Sequence, residues 1–137
     1  MTDQDRQRIE GCDGVLIAKV ERVHTAMAAL GFPMMVGPHG GKRTTTEQQA
    51  LYAPGHTIPG LKVTNADGVV NKSNHQTGRA IDSVFMDANG NPSWDSRYPW
   101  AAYIACGEAV GLRSGAHIQG LHDLPHMELP PEAGVPV

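Results

Sequence analysis

Seven histidines among 137 residues raise the question of a metal before any other. Two stretches answer it: Ser73-Asn74-His75-Gln76-Thr77-Gly78-Arg79-Ala80-Ile81-Asp82 and Asp123-Leu124-Pro125-His126-Met127-Glu128. With His122 in front, the second imitates the H-E-x-x-H of helical zinc proteases, a motif that needs both histidines on one face of a helix. Pro125 argues against that helix, because it lacks an N–H and its ring crowds the carbonyl four residues back. Pro130 and Pro131 leave little room for a helix afterwards. In an extended chain, His126 and Glu128 face one way and Met127 the other. One histidine then comes from this strand, and its partners come from the first stretch. There His75 and Asp82 flank Gly78, which lets the chain bend. Two histidines and one carboxylate, with water in the fourth position, make an open catalytic zinc set; a closed structural site takes four protein ligands, often including Cys. Zinc lowers the pKa of its water to about 7. Hydrolysis also needs a proton acceptor nearby, and Asp123, just upstream of His126, is fitting.

The elements that must hold these residues are short. Leu16, Val20, Val23, Met27 and Leu30 trace one helical face, closed by Gly31 and Pro33. Met34-Met35-Val36 is a strand candidate leading into a glycine-rich turn, Gly37 to Gly41, that delivers Lys42-Arg43. Thr44 to Tyr52 reads as a helix capped by Thr46, with Glu47, Gln48 and Gln49 in its first turn. Loops follow over 55–60 and 61–74, marked by Pro and Gly turns. Ala80 to Met86 is the second strand, Trp100 to Leu112 a helix ended by Gly111, and His126 to Leu129 a last strand. The pattern predicts an α+β chain, with a small antiparallel sheet carrying the metal site and helices flanking it. No repeat or long linker divides it, so 1–137 reads as one domain.

The joint pattern Ser73-x-His75-x-x-Gly78-x-Ala80-x-Asp82 and Asp123-x-x-His126 resembles that of the zinc peptidases. These include D-alanyl-D-alanine carboxypeptidases, D-Ala-D-Ala dipeptidases and phage L-alanyl-D-glutamate endopeptidases. Gly41-Lys42-Arg43 through Ala53 and Thr57 through Thr64 resemble the endopeptidase branch in particular. The likeness runs from about residue 30 to 129. It implies the fold shared with the Hedgehog signalling domain and one zinc ion held by His75, Asp82 and His126. It implies Asp123 as general base and Arg43 as the group that stabilises the oxyanion. Ser73 and Gln49 become substrate contacts, and Glu128 an outer support that orients a ligand. The implied reaction is hydrolysis of the L-alanyl-D-glutamate bond in peptidoglycan stem peptides. A D-alanyl-D-alanine carboxypeptidase or dipeptidase, and a non-catalytic zinc-stabilised wall-binding virion module, are the alternatives. The branch often reads G-L-x-W-G-G-x-W before the last motif; here Gly111-Leu112-Arg113-Ser114-Gly115-Ala116-His117-Ile118 carries neither tryptophan.

Composition narrows the partners. The formal net charge is −3 and no Lys/Arg cluster exceeds Lys42-Arg43, which argues against a nucleic-acid binder. No apolar run is long enough to insert in a membrane. Residues 1–10 lack the layout of a secretory signal, so the expected route is synthesis in a host cytoplasm followed by action on the wall, as a free monomeric endolysin or a virion component. Cys12 and Cys106 lack metal-ligand spacing and read as reduced, partly buried thiols. His24, His39, His56, His117 and His122 read as solvated or loop residues, His117 and His122 being the better candidates for a cleft wall. Trp94 and Trp100 read as packing residues near the second helix.

Overall fold

Strand β2 (Ala80–Met86) is the spine of the molecule, and every other part of the sheet is arranged on its two edges. The structure, a computed structural model, describes residues 1–64, 66–69, 73–118 and 122–131. On one edge of β2 lies β1 (Met34–Val36), with Met35 opposite Val84. On the other edge lie β5 (His126–Glu128) and, further along, β3 (Pro92–Ser93), with Asp82 opposite His126 and Phe85 opposite Ser93. β4 (Arg113–Ser114) adds to the far side of β5. All pairings are antiparallel, as expected for an α+β chain with one sheet face packed and the other facing a cleft.

The packed face is covered by α2 (Gly14–Ala29) and α4 (Trp100–Ala109). The stripe Leu16, Val20, Val23 and Met27 is buried in one apolar cluster with Ile81 and Phe85. Asp13 caps α2, accepting from the N–H groups of Val15 and Leu16, and left-handed Gly31 lies just past its end. Helix α4 approaches β5 so closely that a Cβ on Gly107 would sit 2.5 Å from the Met127 methyl. It stops at Ala109, earlier than the expected Leu112, because Gly111 turns left-handed. Cys12 and Cys106 are free and partly buried.

Other features differ from the sequence reading as well. A short helix, α1 (Asp3–Arg8), precedes the first expected one. It has a capping box between Thr2 and Asp5, and the buried Asp5 carboxylate accepts from Val36 N–H, tying the helix to β1. Helix α3 (Thr45–Tyr52) is capped by Thr44, not Thr46, because Glu47 then reaches back to the Thr44 N–H. His24 is not solvated: it is buried on α2 and meets the Ser83 hydroxyl at 2.8 Å.

Candidate metal centre

His75 rides in the turn at 74–78, where Gly78 has φ 73° and where a Cβ would sit 2.9 Å from the Gly11 carbonyl oxygen. The Arg43 N–H donates to the His75 carbonyl, fastening that turn to the glycine-rich segment. Asp82 lies near the start of β2 and is gripped by the same segment: Gly37 N–H donates to its carbonyl and its N–H donates to Gly40. A Cβ on Gly40 would stand 2.6 Å from the Asp82 carbonyl oxygen, so glycine is required for that approach. His126 opens β5 directly across the ladder from Asp82.

The three side chains converge. His75 Nε2 lies 3.1 Å from Asp82 Oδ1, His126 Nδ1 lies 3.3 Å from the same oxygen, and the two imidazole nitrogens are 3.3 Å apart. Tetrahedral zinc with bonds of about 2.0–2.1 Å separates its ligand atoms by about 3.3 Å. The donor set fits for a second reason. His75 Nδ1–H donates to the Gly41 carbonyl, and His126 Nε2–H donates to the Glu128 carboxylate at 2.8 Å. Each ring therefore turns a bare nitrogen towards the carboxylate of Asp82. Three acceptors meeting at one point demand a cation or a proton between them. Burial opposes a charge on His126, but hydrogen bonds to Asp82 and Glu128 outweigh it and hold the imidazole up at about 9. Burial would raise the Asp82 carboxyl, yet His75 and His126 hold it below the usual carboxylate range. The pocket favours positive charge, and one metal ion suits it. Among the described residues this is the one such cluster of three.

Glu128 is buried beneath His126; its second oxygen accepts from Asn74 Nδ2 at 2.9 Å, and Arg113 lies 4.0 Å away. Arg43 uses all three guanidinium nitrogens: Nε donates to the His39 carbonyl, Nη1 to Gln48 Oε1 and Nη2 to Asp82 Oδ2. Asp123 borders the same cleft. Burial and then the Asp82 charge push its carboxyl above the ordinary range, against the pull of His126, His75 and Arg43. Gly115 clamps this segment: its N–H donates to the His126 carbonyl and its carbonyl accepts from Asp123 N–H.

The cleft has a volume of about 840 Å³ and is lined by His75, Asp82, His126, Asp123, Arg43, Ser73 and Glu128 together. Ser73 holds the turn, its hydroxyl accepting from the His75 N–H. Gln49 is not brought to the cleft; it is exposed on α3. Its neighbour Gln48 is the inward residue, fully buried, joining Arg43 to the Ala66 carbonyl that lines the cleft. Three more residues line the cleft, and of these only His122 is an expected candidate; His117, the other, does not line it. Trp94 is exposed on the cleft wall, unlike Trp100, which packs against Phe85. His39 and His122 also line it, each with a left-handed backbone, φ 59° and 49°. His117 is exposed and pairs with Glu108; Ser114 and Ile118 stand where the endopeptidase pattern has tryptophan.

The fold is of the D-Ala-D-Ala peptidase-like kind, and it carries a His/Asp/His set able to hold a metal ion. Among sequences, the chain is similar to the peptidoglycan L-alanyl-D-glutamate endopeptidase CwlK of Bacillus subtilis (strain 168). The two are 31% identical over 99 residues, 66% of this chain and 58% of that protein, so the chain spans little more than half of that relative's length. Among solved structures it is similar to the Serratia marcescens L-Ala D-Glu endopeptidase ChiX, with a TM-score of 0.65 and 21% identity, covering 95% of this chain and 89% of that one. It is also similar to the LD-carboxypeptidase LdcB, with a TM-score of 0.60 and 20% identity, covering 89% and 68%. No family model matches the chain. No helix among the described residues is long and apolar enough to cross a membrane.

Proposed function

We propose that the chain is a zinc-dependent peptidase that hydrolyses the L-alanyl-D-glutamate bond of peptidoglycan stem peptides. The observation that carries the reading is the convergence of three acceptor atoms from His75, Asp82 and His126 in an open cleft that also contains Asp123 and Arg43. The CwlK likeness supports the choice of bond. Zinc, when bound, supplies a Lewis acid and a water acidified to a pKa of about 7. Asp123 takes a proton from the attacking water and returns it to the leaving amine. Arg43 keeps one spare N–H on each Nη atom after meeting Gln48 and Asp82, and these N–H groups stabilise the charge growing on the scissile carbonyl oxygen. Glu128 and Gly41 fix which nitrogen of each imidazole faces the metal. Ser73 holds the turn that carries His75 and stands at the substrate side of the cleft. In this reading the protein is a lytic enzyme of the endolysin kind, acting as a monomer on the wall.

Digestion of purified peptidoglycan with and without chelator, followed by mass spectrometry of the new termini, tests it. New L-Ala carboxyl ends support the reading. Released D-Ala supports a D,D-carboxypeptidase instead, and intact material with bound protein supports a wall-binding module. An Asp123→Ala protein that keeps zinc and loses hydrolysis excludes the binding module, which needs no base.

A further inference from the structure

We propose that Trp94 is a sugar platform, stacking against the pyranose ring of the N-acetylmuramic acid to which the stem peptide is attached. The inference rests on the L-alanyl-D-glutamate reading and extends it to the glycan side of the substrate. Trp94 is 55% exposed, whereas Trp100 is 6% exposed within an aromatic cluster. An indole left open on the wall of a catalytic cleft gives up the burial that such a side chain ordinarily gains.

Its base is fixed. Ser93 pairs with Phe85 on the same edge of β2 on which His126 pairs with Asp82. The turn beneath it is held by Trp100 Nε1–H donating to the Asp95 carbonyl. Asp95 and Arg97 satisfy each other at 2.7 Å, which leaves no free charge beside the ring on that turn. The platform is therefore flat and apolar, on a fixed base. That matches the C–H face of a sugar; alanine, glutamate and a diamino acid offer no comparable flat face.

The spacing agrees. Phe85 is three positions along β2 from Asp82, about 10 Å at roughly 3.3 Å per residue. With the L-alanyl carbonyl at the metal, one residue and the lactyl group separate the scissile carbon from the sugar, about 7 Å of extended chain. The ring then falls over the platform. A carboxypeptidase cut further down the stem would put the sugar beyond its reach.

The test compares N-acetylmuramyl-L-alanyl-D-isoglutamine with L-alanyl-D-isoglutamine. In the zinc-loaded protein, kcat/KM is expected to be about tenfold higher for the sugar-bearing substrate, the order of a stacking contribution. Trp94→Ala should bring the ratio towards one, and Trp94→Phe should restore part of it. A wild-type ratio of one, or the same ratio in Trp94→Ala, overturns the proposal. A second measurement uses the zinc-loaded Asp123→Ala protein and its tryptophan emission. The muramyl peptide, but not the bare dipeptide, should shift that emission, and Trp94→Phe should abolish the shift. If wild type cuts neither substrate, the peptidase reading fails, while the emission still decides the platform: no sugar-dependent shift overturns it.

Discussion

Replacing Glu128 by Gln tests whether the layer beneath the three converging side chains sets metal affinity. The carboxylate accepts from His126 at 2.8 Å with one oxygen and from Asn74 at 2.9 Å with the other. Glutamine has nearly the same shape and keeps one oxygen for His126, so the imidazole holds its orientation. Its amide nitrogen then faces the Asn74 donor, but Asn74 is exposed and can rotate to present its own oxygen. What is lost is chiefly the negative charge that makes His126 a better ligand. Outer-layer partners of this kind are worth about 10- to 100-fold in metal affinity, on the order of 1.4–2.7 kcal/mol. Burial of Glu128 limits screening and argues for the upper part of that range; Arg113, at 4.0 Å, already offsets part of the charge and argues for the lower. A loss of about 30-fold, or about 2 kcal/mol, is the expected result. Zinc titration against a competing chelator at neutral pH measures it, with urea unfolding of the zinc-stripped proteins as the control for folding. A folded Glu128→Gln protein that binds zinc within about threefold of wild type would refute the claim that this carboxylate tunes His126.

Three other outcomes are expected. Burial holds His24 neutral, with its pKa lowered from 6.5 to about 4. The unfolded chain therefore binds a proton first as pH falls. The His24 contribution to stability is complete above pH 6.5 and lost towards pH 4, by about 3 kcal/mol. Urea midpoints across that window should fall more steeply for wild type than for His24→Gln, and parallel curves would contradict it. In Gly115→Ala the new methyl would stand 2.4 Å from the Asp123 carbonyl oxygen and 2.6 Å from His126 Cβ. It should cost about 1–3 kcal/mol of stability and weaken zinc binding, both measurable in one thermal and chelator series. Arg43→Lys cannot reproduce a fork that reaches His39, Gln48 and Asp82 at once. It should keep zinc and lower kcat on the order of a hundredfold, read from steady-state cleavage of stem peptide.

The limits of the sequence reading follow from which forces leave a local trace. Alternation around His126 and the apolar run after Asp82 specify strand and facing, because a side chain two positions along must share a face. The observed bounds of β2 and the pairing of Asp82 with His126 follow that pattern. Helix α3 has no comparable stripe: Ala50 and Leu51 do not define a face, so nothing local separated Gln48 from Gln49. Arg43 and the Ala66 carbonyl, distant in sequence, supply the partners that turn Gln48 inward. Helix α1 is polar throughout and has no apolar stripe to announce it; its tie to the sheet is Asp5 meeting Val36. Trp94 and Trp100 have the same side chain and opposite fates because one follows an edge strand and the other begins a core helix. His39 carries the same lesson into the site. Its left-handed backbone is a costly conformation for a residue with a side chain. In that conformation its carbonyl reaches the Arg43 guanidinium, which in turn touches Asp82. Strain at His39 and order at Arg43 are thus parts of one arrangement, and only long-range contacts made it visible.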